Sequence, residues 1–235
     1  TILVCALMFV PAASAMPRHR GGVLDALTAG IGKDIVDATP LPSSPVTGSL
    51  DSIPSENLDD VYSIRLQAGE ELSLSLVLSP HVTSSAKNLE LNLFRPGTEN
   101  IFQESRIVAS GCYTGYERGY YPERMSYIAT TTGTYYIDIW AYSGTRVPYT
   151  LRWRKWMATA DDSAPGIVAT TTPTTGTLDA LGDPDDYYQL SVAANEQVQA
   201  SLVTSLADAD MVVWNSTHPV RPWPPVTGAV ASDTD

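Results

Sequence analysis

The chain has 235 residues and a mass of 25.3 kDa, the length of one or two domains. It carries 14 Lys and Arg against 26 Asp and Glu, a formal net charge of −12, which excludes the broad positive field that general nucleic-acid binding needs. Hydrophobic residues make up 43% and charged residues only 17%; the first figure excludes full disorder, and the second leaves the polar surface to Ser, Thr, Gly, Pro and Tyr, the balance of a β-rich, loop-rich secreted module.

Ile2 to Val10 carry no charge, Pro11 follows, and Ala13-Ser14-Ala15 supplies small residues. This predicts the end of a secretory signal over residues 1–15, cleaved after Ala15, in a chain that begins inside its own export signal. The apolar run is shorter than the ~20 residues of a spanning helix. No later stretch is long and apolar enough to span, so no membrane span is expected after cleavage. Cys5 falls within the signal, which leaves Cys112 alone and reads it as a small apolar filler. Residues 16–40 form a lead-in. Val23, Leu24, Leu27, Ile31, Ile35 and Val36 have loose helical spacing broken by Gly30 and Gly32, which predicts a short helix or an unstructured arm.

From Pro45 the period changes to two. Tyr62, Ile64 and Leu66 alternate with Val61, Ser63 and Arg65, and Leu72, Leu74, Leu76 and Leu78 mostly with serine. Leu89, Leu91 and Leu93, then Tyr135, Ile137 and Ile139, then Tyr149, Leu151 and Trp153 continue the alternation. Strand side chains point to opposite faces in turn, so each run buries one face and wets the other. Gly69, Pro96-Gly97, Gly133 and Gly144 punctuate the runs as turns. The fold class that follows is all-β, an antiparallel β-sandwich over residues 41–154. Leu74, Leu76, Leu91, Leu93, Ile137 and Ile139 are expected between its sheets.

The pattern then recurs. Pro45 to Asp51 (PVTGSLD) matches Pro173 to Asp179 (PTTGTLD), and Asp59-Asp60-Val61-Tyr62 matches Asp185-Asp186-Tyr187-Tyr188, 126 residues on. At the same offset Gly69 falls on Asn195 and Glu70 on Glu196. Gly and Asn are the residues that best tolerate a left-handed turn position. Leu91-Asn92-Leu93-Phe94 resembles Met211-Val212-Val213-Trp214. A repeat this long predicts tandem domains. Residues 155–172 read as a flexible linker. Residues 173–235 read as the beginning of a second copy that lacks counterparts of the later strands. Residues 41–154 are expected to fold alone and residues 173–235 are not.

Asp59-Asp60-Val61-Tyr62, Gln67-Ala68-Gly69-Glu70, Leu91-Asn92-Leu93-Phe94, Gly133-Thr134-Tyr135-Tyr136-Ile137 and Tyr149-Thr150-Leu151 together resemble the bacterial pre-peptidase C-terminal (PPC) domain. The resemblance spans about residues 45–154 and the start of the second copy. It implies a jelly-roll-like β-sandwich appended to secreted hydrolases, akin to the collagen-binding domains of clostridial collagenases. It also implies an accessory role in binding substrate or matrix, or in secretion.

The chain shows no zinc-protease pair of histidines, no G-x-S-x-G elbow and no phosphate-binding glycine loop, so no enzyme activity is expected. Asp51, Glu56, Asp59 and Asp60 gather before the first long strand, and Asp179, Asp183, Asp185 and Asp186 do so in the second copy. Clustered carboxylates suit calcium, the one cofactor to test, although the stretch upstream of Asp51 lacks the acids that the related domains supply; strand-start turns built by Asp are the alternative. Tyr113, Tyr116, Tyr120 and Tyr121 crowd a glycine-containing segment, and Trp140 and Tyr142 share one alternation face with Tyr136. Such rings give rigid contact area with a polar tip, which suits a ligand face; covering the sandwich end is the alternative. Asn215-Ser216-Thr217 is a glycosylation sequon. The expected function is a secreted, non-catalytic binding module at or outside the cell surface, with an extracellular protein or polysaccharide as ligand. An accessory region of a secreted peptidase or other hydrolase is the alternative, and a structural spacer is a third reading.

Overall fold

The five alternating runs between residues 61 and 153 all become strands. The computed structural model describes residues 2–8, 32–52, 57–78, 87–111, 123–179, 181–204, 210–215 and 229–233. In chain order the strands are β1 (Ile2–Met8), β2 (Thr39–Pro40), β3 (Val46–Leu50), β4 (Asp59–Leu66), β5 (Glu70–Leu78), β6 (Asn88–Phe94) and β7 (Ile107–Gly111). They continue as β8 (Glu123–Ile128), β9 (Gly133–Ser143), β10 (Val147–Met157), β11 (Ile167–Val168), β12 (Asp185–Ser191), β13 (Asp210–Asn215) and β14 (Ala229–Asp233). Helix among the described residues is limited to two 3-10 turns, Ile35–Asp37 and Glu104–Arg106. The chain is all-β. It divides into two compact units, residues 11–157 and residues 1–10 with 158–235.

The first unit is an open sandwich. One sheet has four strands in the order β3-β10-β5-β8, and the other has five in the order β2-β4-β9-β6-β7. Every pairing is antiparallel except the short β2–β4 contact. Tyr62, Leu91, Leu93, Ile137 and Ile139 from one sheet meet Leu72, Leu74, Leu76, Tyr149 and Leu151 from the other in one buried cluster. The six residues expected between the sheets are thus all in the core, each at most 1% exposed. Fully burying such a side chain contributes about 1.5–3 kcal/mol, so this cluster dominates the stability of the unit.

Two expectations meet a different outcome. Val61 was assigned to a wetted face, yet it is fully buried. The lead-in explains this, because it is a docked strap in its described part. Val61 N donates to Gly32 O at 2.7 Å, and Ile35 packs with Val61, Phe94 and Ile101 on the outer face of the five-stranded sheet. Asp34 fastens the strap, its Oδ1 accepting from Ile35 N at 2.7 Å and from Ile101 N at 2.8 Å. Gly32 is required there, since a Cβ would lie 2.2 Å from Asp37 O. The linker expectation also gives way at both ends: β10 runs on to Met157, and Ile167–Val168 pairs with β12. Trp153 holds β10 just before the expected boundary, through Nε1 to Pro42 O, and Lys155 holds it just beyond, through Nζ to Glu70. Ile2–Met8 forms strand β1.

The second unit contains a five-stranded sheet in the order β11-β12-β1-β13-β14. β1 is antiparallel to both β12 and β13. The turn after β12 holds Asn195 at φ +65°, and the turn after β4 in the first unit holds Gly69 at φ +87°. Both lie in the left-handed region that these residue types tolerate.

Candidate functional site

The sequence singled out an aromatic set and an acidic set. Tyr113, Tyr116, Tyr120 and Tyr121, with Cys112, lie outside the described residues. Their segment joins β7 of one sheet to β8 of the other. It departs from Gly111, which is in register with Leu91 and hence with Ile139. The chain therefore leaves β7 one row short of Trp140.

Trp140 and Tyr142 are described, and they touch. Their ring centroids are 5.9 Å apart at an interplanar angle of 71°, an edge-to-face pair. Tyr142 is 53% exposed and Trp140 is half-buried. Alternation along β9 places Tyr136, Asp138, Trp140 and Tyr142 on the outer face, because Tyr135, Ile137 and Ile139 fill the core.

Beside the aromatic pair runs a strip of buried polar groups of which sequence reading singled out only Asp59. Trp140 is flanked in register by Asp59 on β4 and Glu90 on β6, and Asp138 by Val61 and Asn92. Asp59, Glu90, Asn92, Ser110 and Asp138 are all buried. Ser110 Oγ donates to Asn92 Oδ1 at 2.8 Å, and Asn88 Nδ2 donates to Glu90 Oε1 at 2.7 Å. The signal was present in the sequence, as polar residues at alternate positions of β6 and β9, but alternation alone assigns them to a wetted face. The four-stranded sheet has an outer face of its own. Arg152 and Arg124 flank Ser75 from opposite sides, and Arg154 stands beside Ser73. Arg152 and Arg154 are exposed, a local basic row on an acidic chain.

The acidic set separates. Asp60 is fully buried, and both its oxygens are engaged. Lys33 Nζ donates to Oδ1 at 2.7 Å, and the Tyr149 hydroxyl donates to Oδ2 at 2.6 Å. Lys33 also bonds Asn57 Oδ1, and the hydroxyls of Tyr62 and Tyr149 are 2.9 Å apart. Asp51 Oδ1 accepts from Arg146 N at 2.5 Å, Asp59 is buried on the outer strip, and Glu56 lies outside the described residues. Calcium takes six to eight oxygens. Asp60 has already given its oxygens to an ammonium and a phenol, so it offers none to such an ion in this arrangement. No group of three or more acidic, His or Cys side chains among the described residues is arranged to hold a metal. The tyrosines respond to the same network. Burial first, then the Asp60 charge, pushes Tyr62 up to about 12, opposed by its hydrogen bond with Tyr149. Tyr149 is raised by burial, Asp60 and Tyr62.

In the second unit the acids crowd one another. Asp183 is pushed up to about 6, first by burial and then by the carboxylates of Asp186, Asp162, Asp161 and Asp179. Asp186 is raised by burial and by Asp161 and Asp162. A carboxyl whose folded pKa is raised binds its proton more tightly in the folded state. Its stabilising contribution is complete below the ordinary value of 3.8 and is lost as pH rises through about 6. The second unit is therefore expected to melt at a higher temperature at pH 4.5 than at pH 7.5. Asp183→Asn should flatten that dependence, as followed by calorimetry; an unchanged slope in the variant would reject the cluster as its origin.

No protein-family model matches the chain, and no curated protein matches it. Among solved structures, the pre-peptidase C-terminal domain of a Bacillus anthracis collagenase is similar at 15% identity and a TM-score of 0.34, over 48% of this chain and 89% of that one. PliG of Aeromonas hydrophila, a periplasmic inhibitor of g-type lysozyme, is similar at 16% identity and a TM-score of 0.36, over 50% of this chain and 95% of that one.

Proposed function

We propose that the chain is a secreted, non-catalytic binding module acting at or outside the cell surface, and that its ligand face lies at the Trp140–Tyr142 end of the first unit. The exposed edge-to-face aromatic pair carries this reading. A ring more than half exposed on a strand contributes little to the core, while it presents flat apolar area and a hydroxyl to a partner. The tyrosine-rich segment, Tyr113, Tyr116, Tyr120 and Tyr121, is included as a candidate for ligand contact on the density of rings in its sequence. Export with cleavage after Ala15 and a PPC-like accessory role fit the small-residue site and the motif order. The two units are read as modules of one kind. An extracellular protein or polysaccharide is the ligand class.

The test uses insoluble collagen, chitin and peptidoglycan as probes. The chain should be retained on at least one of them, and Tyr142→Ala should weaken retention about tenfold. Its melting temperature should stay within about 1 °C of the parent, as for a surface substitution. Tyr116→Ala and Tyr120→Ala are the companion variants. Unchanged retention in all three, or lost stability with unchanged retention, would return these rings to a structural role.

A further inference from the structure

We infer that the sheet of the second unit is a strand acceptor, with a central position between β12 and β13 that takes an extended segment of the β9 kind, and that Ile2–Met8 occupies this position in the present chain. The inference deepens the two-module reading above and rests on it. Its basis is the register of two sheets, each taken by itself.

In the first unit β9 lies between β4 and β6 and is antiparallel to both. Ile137 is in register with Tyr62 on one side and Leu93 on the other. In the second unit β1 lies between β12 and β13, again antiparallel to both, and Cys5 is in register with Tyr188 and Val213. Tyr188 is the sequence counterpart of Tyr62, and Val213 that of Leu93. The correspondence holds along the strand. Asp59 faces Trp140 and Asp185 faces Met8; Leu91 faces Ile139 and Met211 faces Leu7. Two neighbours fix the register independently, and both put β1 in the place of β9.

The surroundings repeat as well. Leu41 N donates to Ser63 O at 2.9 Å, and Ala169 N donates to Gln189 O at 2.8 Å. Val61 N donates to Gly32 O at 2.7 Å, and Tyr187 N donates to Asp161 O at 2.7 Å. Gln67 N bonds Glu70 Oε2 at 2.7 Å, and Ala193 N bonds Glu196 Oε2 at 2.8 Å. The frame around the central position is thus built by the second unit's own residues, while the central strand comes from a distant part of the chain.

A strand position between two neighbours presents amides and carbonyls from both sides, and leaving them unmet is costly. The backbone of any extended segment satisfies them. Side-chain alternation then selects. Thr134 to Tyr142 are mostly aromatic and β-branched, the chemistry that suits a half-buried strand. Ile2–Met8 is apolar at every position, without that division into two faces in its sequence. Removal of residues 1–15 by export cleavage would open the position to an occupant of the β9 kind.

The test uses the full chain, its Cys5→Pro variant and a labelled synthetic peptide of the sequence Thr134 to Tyr142, with a scrambled peptide as control. Proline removes an amide and disrupts a central strand. Amide exchange in β12 and β13 should quicken about 100-fold in Cys5→Pro, while β4 and β6 stay as protected as before. Adding the β9 peptide should restore protection in β12 and β13, and its anisotropy should rise with the variant but not with the parent chain. Unchanged exchange in Cys5→Pro would overturn the inference, and so would loss of protection that the peptide fails to restore or that the scrambled peptide restores equally. Retention of the Tyr142 variants on insoluble probes is independent of these outcomes, so failure here leaves the ligand-face reading to its own test.

Discussion

Lys33→Met is expected to destabilise the first unit by about 3 kcal/mol, at the lower end of what breaking a buried ion pair costs. Asp60 has no exposure, while the Lys33 side chain keeps 28%, so the methionine leaves a fully buried carboxylate without its cation. Tyr149 still donates to Oδ2, but one phenol does not replace an ammonium. The strap should loosen as well, because Lys33 ties it to β4 next to Asn57. A loss of this size lowers the melting temperature by roughly 10 °C in a unit of this length. Urea denaturation gives the free energy directly. Adding Asp60→Asn to Lys33→Met should recover part of the loss, since the double variant holds no unpaired charge. A Lys33→Met chain as stable as its parent would mean that the pair does not form.

Ile137→Ala should cost more, about 4 kcal/mol, in the upper part of the range for a buried aliphatic truncation. Ile137 is fully buried in the central strand of its sheet, in register with Tyr62 on one side and Leu93 on the other. A central strand held on both sides cannot shift to fill the cavity, so the transfer and cavity contributions add. Val203→Ala is the control: Val203 is 90% exposed, and its truncation should stay within about 0.5 kcal/mol. Equal effects at the two positions would invalidate the assignment of inner and outer faces.

Alternation made most of this fold legible. Each period-two run is a strand, and Leu74, Leu76, Leu91, Leu93, Ile137 and Ile139 are core because a strand buries every second side chain. The outer faces were not legible. Whether Val61 is wet or dry depends on what lies over it, and the strap that covers it enters the fold far upstream in sequence. Asp60 shows the same limit at the candidate site. Its residue type and its place before a strand suggest a cation ligand, and it does hold a cation. That cation is Lys33, 27 residues upstream, and the phenol that completes the arrangement is 89 residues downstream. Charge predicted the kind of partner, while only tertiary contact names it. The pair Trp140 and Tyr142 was legible through parity on β9 alone.

The shortest strands bear on how molecules of this protein meet one another. β2 contributes only Thr39 and Pro40 to the flank of β4, and β11 only Ile167 and Val168 to the flank of β12. A neighbour seeking to lengthen either sheet from that side finds a template two residues long, and at Pro40 a ring that offers no amide. Lateral growth into fibrils is blocked at these margins, so concentrated solutions should resist strand-to-strand aggregation there. Pro40 acts as a stopper in that sense, and Thr or Val in its place would lengthen the sticky margin by one donor.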